Sequence, residues 1–168
     1  MKTLIVYGTK HGFTRKCVVR LSEKLNGNVV TFNLKEDKGI VISDYDNVII
    51  GGPIYMGQML KQVKQFCLNN IEALNKKKIG LFVCGMSDSE KITLELNQNF
   101  PDTIISNATI GTFGGAFIFK NMNFFERLII KLVSKTNEDM SNYKEKDIDE
   151  FAEKMNLENS KEQNNGNN

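Results

Sequence analysis

The amino-acid sequence predicts an α/β domain, a parallel sheet with helices on both faces, and three observations lead there. Short apolar segments alternate with amphipathic helical ones along the chain, the order that a parallel sheet with right-handed crossovers produces. Segments 47–51 and 79–84 are apolar almost throughout, as strands buried on both faces must be. The first strand runs directly into a loop of hydroxyl residues and glycine, and an amphipathic helix begins where that loop ends.

Taken in order, residues 3–7 form the first strand and residues 8–14 the loop. In the helix after it, Val18, Val19, Leu21 and Leu25 recur at the three-and-four spacing of a sheet-packed face, leaving Arg15, Lys16, Arg20, Glu23 and Lys24 outside. A second strand is expected at 28–34 and a third at 47–51. Residues 59–68 carry Leu60, Val63, Phe66 and Cys67 on one helical face, and 79–84 is a fourth strand. Residues 90–100 are helical, with Ile92, Leu94, Leu96 and Phe100 inward. A fifth strand is expected within 103–111, and helices over 123–134 and 147–155 close the fold. Residues 1–156 make one domain. From residue 159 onward no large apolar side chain repays the entropy of ordering, so 157–168 are expected to be a disordered tail.

Composition narrows the classes. A chain of 168 residues, 40% hydrophobic and 25% charged, suits one globular core. No apolar run approaches the roughly 20 residues of a membrane-spanning helix. The first residues lack the apolar stretch and cleavage site of a secretory signal, and a cytoplasmic setting is expected. Cys17, Cys67 and Cys84 are odd in number and have no CxxC spacing, so they are read as reduced and buried, without a disulfide framework or metal site. The net charge of +2 is spread along the chain, clustering only at Lys76, Lys77 and Lys78, which argues against nucleic acid as a partner.

In a sheet wound this way, the segments after strands one, three and four emerge at one edge, where such folds bind ligands. The first holds Thr9, Lys10, His11, Gly12, Phe13 and Thr14. A strand passing through hydroxyl residues and glycine into a helix leaves several backbone N–H groups without acceptors at the positive end of the helix dipole. A phosphate monoester satisfies that donor set. The second holds Gly52, Pro53, Ile54, Tyr55, Met56 and Gly57, showing an aromatic ring and a thioether where solvent is expected, which suits a flat ring as ligand. The third holds Cys84, Gly85, Met86, Ser87 and Asp88, with Ser87 or Asp88 as the N-cap of the next helix. His11, the only histidine, is read as an exposed loop side chain rather than a catalytic base.

Together these features resemble the flavodoxin-like family, whose TxTGxT pattern this chain meets at Thr9, Gly12 and Thr14. His11 stands where that pattern has a hydroxyl residue, which removes one donor and leaves the backbone cradle. The resemblance covers almost all of residues 1–156 and implies a doubly wound five-stranded parallel sheet of order 2-1-3-4-5. It also implies FMN as cofactor, its phosphate held by Thr9, Thr14 and the backbone of Lys10, His11, Gly12 and Phe13. The isoalloxazine ring would then lie between Pro53, Ile54, Tyr55, Met56 and Gly57 on one side and Cys84, Gly85, Met86, Ser87 and Asp88 on the other.

A narrower resemblance lies further along. Thr112, Phe113, Gly114, Gly115 and Ala116, followed by an aromatic-rich segment and by residues 125–132, are similar to the menaquinone-dependent protoporphyrinogen dehydrogenases, a flavodoxin-like subgroup. That implies a cytoplasmic, membrane-peripheral oxidoreductase that oxidises protoporphyrinogen IX or a similar small donor and passes electrons to quinone at the membrane surface. The helix over 123–134 bears on it. Phe124, Phe125, Leu128, Ile129, Ile130, Leu132 and Val133 are too many for a narrow core stripe. They either pack on the sheet or, with Phe117 and Phe119, cover an apolar substrate or meet a membrane.

A flavin carries the redox chemistry itself, so no catalytic side chain is required and none is assigned. The chain has no nucleophile triad, GxGxxG or Walker loop, and Tyr7, Gly8 and Thr9 stand where a receiver domain would hold a cation with acidic residues. Two functions remain: an FMN-dependent dehydrogenase, or a flavodoxin-type electron carrier between redox proteins. Dedicated carriers of the family are strongly acidic, whereas this chain is slightly basic, and the apolar helix also favours the dehydrogenase.

Overall fold

The structure, a computed structural model, describes residues 1–165 apart from 38, 87, 88, 119, 121 and 135–137. The elements are β1 (Lys2–Tyr7), α1 (Phe13–Lys24), β2 (Asn28–Asn33), a 3-10 turn (Ile42–Asp44), β3 (Asn47–Tyr55), β4 (Gln58–Met59) and α2 (Lys61–Asn69). Then come α3 (Ile71–Leu74), β5 (Lys78–Cys84), α4 (Ser89–Asn99), α5 (Asp102–Ile105), β6 (Ala108–Thr112) and β7 (Gly114–Phe117). The chain ends with α6 (Phe124–Ser134), β8 (Met140–Tyr143) and α7 (Glu145–Asn165).

The main sheet runs β2-β1-β3-β5-β6 with every neighbouring pair parallel, which is the expected five-stranded winding once the two-residue β4 on the flank of β3 is set aside. The winding reverses at β1 and β3. Alternate strand residues feed two cores, as the pleat requires. Leu4, Val6, Val48, Ile50, Leu81 and Val83 face α2, α3, α4 and α5 through Val63, Phe66, Leu74, Ile92, Leu96 and Ile104. Ile5, Tyr7, Ile49, Phe82 and Cys84 face α1 and α7 through Cys17, Val18, Leu21, Ile148, Phe151 and Met155. All three cysteines are free and buried.

Several elements differ from the sequence reading. Residues 102–105 are helical and the fifth strand is confined to Ala108–Thr112, because Pro101 and the acidic Asp102 start a short turn there. Segment 52–55 continues β3 rather than leaving it, and the chain turns back at Met56 and Gly57 to pair Tyr55 with Gln58, so α2 starts only at Lys61. Met56 (φ 50°) and Gly57 (φ 76°) both take the left-handed conformation that a tight two-residue hairpin demands. β7 and β8 form an antiparallel pair that was not expected. α7 runs from Glu145 to Asn165, into the segment expected to be a disordered tail; no proline or glycine interrupts it before Gly166.

Two helices also bury different residues from those expected. In α1 the buried stripe is Thr14, Cys17, Val18 and Leu21, and Val19 is 52% exposed. In α4 the inward positions are Ile92, Glu95, Leu96 and Asn99, and Leu94 is 57% exposed. The buried Asn99 clamps the hairpin. Its carbonyl oxygen accepts the Met59 N–H at 2.9 Å, while its amide donates to the Gly57 carbonyl at 2.8 Å and to the Glu95 carbonyl at 2.6 Å. Replacing Asn99 by Ala strands the buried Met59 N–H and the part-buried Gly57 carbonyl. The expected cost is about 2–3 kcal/mol, a melting temperature lower by roughly 5–10 °C in thermal unfolding. A melting temperature within a degree of the parent's would refute the clamp.

Candidate functional site

At the carboxyl ends of β1, β3 and β5 lies a cleft of about 600 Å³. The register builds it: Tyr7 pairs with Gly51, and Pro53 with Cys84, so the three loops leave the sheet side by side. Thr9, Lys10, His11, Phe13 and Thr14 line it from the first loop, Pro53, Ile54, Tyr55, Met56 and Gly57 from the second, and Cys84, Gly85 and Met86 from the third. Of the residues expected from the sequence, Gly12 caps α1 without lining the cleft, and Ser87 and Asp88 lie outside the described residues.

One end of the cleft is a set of donors. The Gly12 N–H donates to the Thr9 hydroxyl at 3.2 Å, which folds the loop over the start of α1. Among the described residues, no acceptor bonds the backbone N–H groups of Lys10, His11, Phe13 or Thr14. His11 Nε2 is buried without a hydrogen-bond partner. The His11 side chain is only 13% exposed, which corrects the exposed position expected for it. Glu126 lies 3.5 Å from its Nε2, and the Tyr55 ring meets it edge-on at 6.2 Å. The loop therefore holds unsatisfied donors of the kind a phosphate group takes up.

The hairpin wall is aromatic, and the basic side chains of the loop reach it. The Lys10 ammonium lies 5.5 Å above the Tyr55 ring, and burial, with Glu126 and Cys84 nearby, pushes the Tyr55 hydroxyl up to about 12. Tyr55 thus stays a neutral phenol at physiological pH. Met56 is 76% exposed at the tip of the hairpin. Burial also pushes the Cys84 thiol well up, with a contribution from Cys17 and an opposing one from the Thr14 hydroxyl, so Cys84 lines the cleft as a neutral thiol and no nucleophile is formed.

The cleft has walls that the three-loop reading did not assign to it: Lys91 and Glu95 from α4, Gly115, Ala116 and Phe117 from β7, and Glu126, Ile129 and Ile130 from α6. β7 packs tightly against the third loop. The Gly85 N–H donates to the Gly114 carbonyl at 2.8 Å, and a Cβ at Gly115 would come within 2.8 Å of the Gly85 carbonyl carbon, a clash that only glycine avoids. α6 supplies Glu126, which pairs with Lys10 and lies beside His11. Burial opposes ionisation of Glu126, but the hydrogen bond from Lys10, the Asn123 N–H and the charges of Lys10 and His11 outweigh it and hold the carboxyl below its ordinary value. α4's share was legible as the spacing of 92, 95, 96 and 99, which puts Glu95 and Asn99 inward. α6's share was legible as the Asn123 to Glu126 spacing of a capping box.

α6 does not bury its apolar face on the sheet. Phe124, Phe125 and Leu132 are exposed by 75%, 74% and 72%, and Leu128 and Ile129 by 46% and 37%. Phe117 lines the cleft, while Phe119 lies outside the described residues. Among the described residues no helix is long and apolar enough to cross a membrane.

Comparison with known proteins places these features. The Flavodoxin domain family matches residues 4–144. The protoporphyrinogen IX dehydrogenase [quinone] of Leishmania major is 21% identical over 149 residues, which cover 80% of this chain and 62% of that protein; this chain thus spans less than two thirds of its relative's length. Among solved structures, the flavodoxin of Fusobacterium nucleatum bound to flavin mononucleotide is 15% identical with a TM-score of 0.50, covering 94% of this chain and 98% of that one. The flavodoxin of Streptococcus pneumonia is 15% identical with a TM-score of 0.51, covering 91% and 96%. The parallel order β2-β1-β3-β5-β6, the loop opening α1 and a family match over most of the chain establish that this protein belongs to the flavodoxin domain family.

Proposed function

We propose that this protein binds FMN in the cleft through its 1–156 domain and acts as a flavin-dependent dehydrogenase of protoporphyrinogen IX or a similar small donor, passing the electrons to quinone at a membrane surface. The observation that carries the reading is α6. Ile129 and Ile130 line the cleft, and Phe124, Phe125 and Leu132 on the same helix are left in solvent beside it. The apolar macrocycle of such a donor and a lipid-borne acceptor would both suit such a face. The distant relative named as a quinone-dependent dehydrogenase supports the same class.

The residues divide the work. Thr9, Thr14 and the unbonded amides of Lys10, His11 and Phe13 would hold the phosphate, while the Gly12 N–H, bonded to the Thr9 hydroxyl, shapes the loop. The hairpin of Pro53, Ile54, Tyr55, Met56 and Gly57, with Cys84, Gly85 and Met86 opposite, would hold the ring. FMN held there would supply the redox chemistry, and the protein's part would be to bind and orient it. Tyr55, as a neutral phenol, would face the ring without adding charge there. Arg127 and Lys131 lie on α6 near its apolar residues and suit an anionic lipid surface.

The FMN-loaded protein is expected to lose its visible flavin absorbance when protoporphyrinogen IX is added without oxygen. Serine at both Phe124 and Phe125 is expected to spare FMN affinity and slow that reaction about tenfold, worth ~1.4 kcal/mol. Flavin that stays oxidised would point instead to an electron carrier between proteins. Equal rates in the double variant would remove α6 from the reaction.

A further inference from the structure

Glu126 lies on α6, outside the three loops, yet its carboxylate is fixed over the first of them. One oxygen pairs with the Lys10 ammonium and lies 3.5 Å from His11 Nε2. The other accepts the Asn123 N–H at 2.9 Å, while the Asn123 side chain accepts the Glu126 N–H at 2.9 Å. This reciprocal cap holds the carboxylate in place independently of any ligand. Lys10 is held in turn between Glu126 and the face of Tyr55. Both basic side chains of the loop therefore already face an anion that the protein itself supplies.

A phosphate monoester carries close to two negative charges. If it settles on the unbonded amides of this loop, as the flavin reading above requires, it meets Lys10 and His11 already facing Glu126. It also meets the repulsion of that fixed carboxylate, an interaction of the same order as the attraction Lys10 offers. We propose that Glu126 is the residue that sets phosphate specificity in this cleft: by pairing with Lys10 and standing beside His11 as a fixed negative charge it weakens the hold on a dianionic phosphate and leaves more of the affinity to the ring. The chain then separates FMN from unphosphorylated riboflavin less sharply than its phosphate loop alone would.

The test is a titration of the full-length parent and of E126Q with FMN, riboflavin and inorganic phosphate, followed by calorimetry and by quenching of flavin fluorescence. Glutamine keeps the oxygen that accepts the Asn123 N–H, so the cap and α6 persist while the charge is removed. E126Q is expected to bind FMN and inorganic phosphate each about tenfold more tightly, with riboflavin unchanged, and added salt should shrink the gain. Unchanged FMN and phosphate affinities overturn the inference, and so does an equal gain for FMN and riboflavin, which would place the effect at the ring. Combining E126Q with K10Q is expected to reduce the gain; an undiminished gain overturns the part assigned to Lys10. A parent that binds neither flavin would refute the flavin reading, and the phosphate titration would still decide the role of Glu126.

Discussion

Tyr7 on β1 lies opposite Gly51 on β3, and Pro53 on β3 opposite Cys84 on β5; everything at the cleft depends on those parallel pairings. They set the three strand ends level, so that a donor-rich loop, an aromatic hairpin and a glycine turn share one cavity although they are far apart in sequence. A one-residue slip of β3 would turn Val48 and Ile50 to the opposite core and carry Tyr55 out of reach of Lys10. The near-complete burial of both sheet faces is what forbids that slip, because Leu4 and Val6 fit one core while Ile5 and Tyr7 fit the other. Core packing and site geometry are the same constraint seen from two sides.

On that frame, polar side chains from the helices fix what the loops present. Asn99 reaches from α4 to hold the Gly57 carbonyl and the Met59 N–H, so the hairpin carrying Tyr55 and Met56 is shaped before any ligand arrives. Glu126 reaches from α6 to Lys10 and His11 and ties the start of the apolar helix to the loop. The cleft therefore joins two kinds of lining: unbonded amides on the first loop, and a phenol, a thioether and a neutral thiol on the other two, with Lys10 and His11 lying against Tyr55 where the two meet. A ligand with a charged end and a flat ring fits that combination, and the exposed phenylalanines of α6 stand beside Glu126 at the start of the same helix.

The fold and most of the cleft were legible in the sequence because buried strands and the loop after β1 leave local signatures: apolar runs, and hydroxyl residues with glycine before a helix. What escaped has physical reasons. β8 is a polar strand, exposed over Met140, Ser141 and Asn142, so no alternation marks it. β4 is two residues long and owes its existence to the turn at Met56 and Gly57. Leu94 misled because hydrophobicity outweighed spacing: the spacing of 92, 95, 96 and 99 puts Glu95 and Asn99 at the inward positions of α4, and what it does not show is the partner that justifies burying Asn99, the Gly57 carbonyl and Met59 N–H of the hairpin. His11 looked exposed because its cover, Glu126 and Tyr55, comes from elements remote in sequence.

The backbone N–H groups of Lys10, His11 and Phe13 have no acceptor of their own and offer a phosphate cradle. The most direct measurement is a two-dimensional amide NMR spectrum of the labelled protein with and without FMN, compared with riboflavin. Large downfield shifts of those amides with FMN, and small ones with riboflavin, are the predicted result, since only the phosphate offers them an acceptor. FMN that binds while these amides stay where they were would contradict the account and place the phosphate elsewhere.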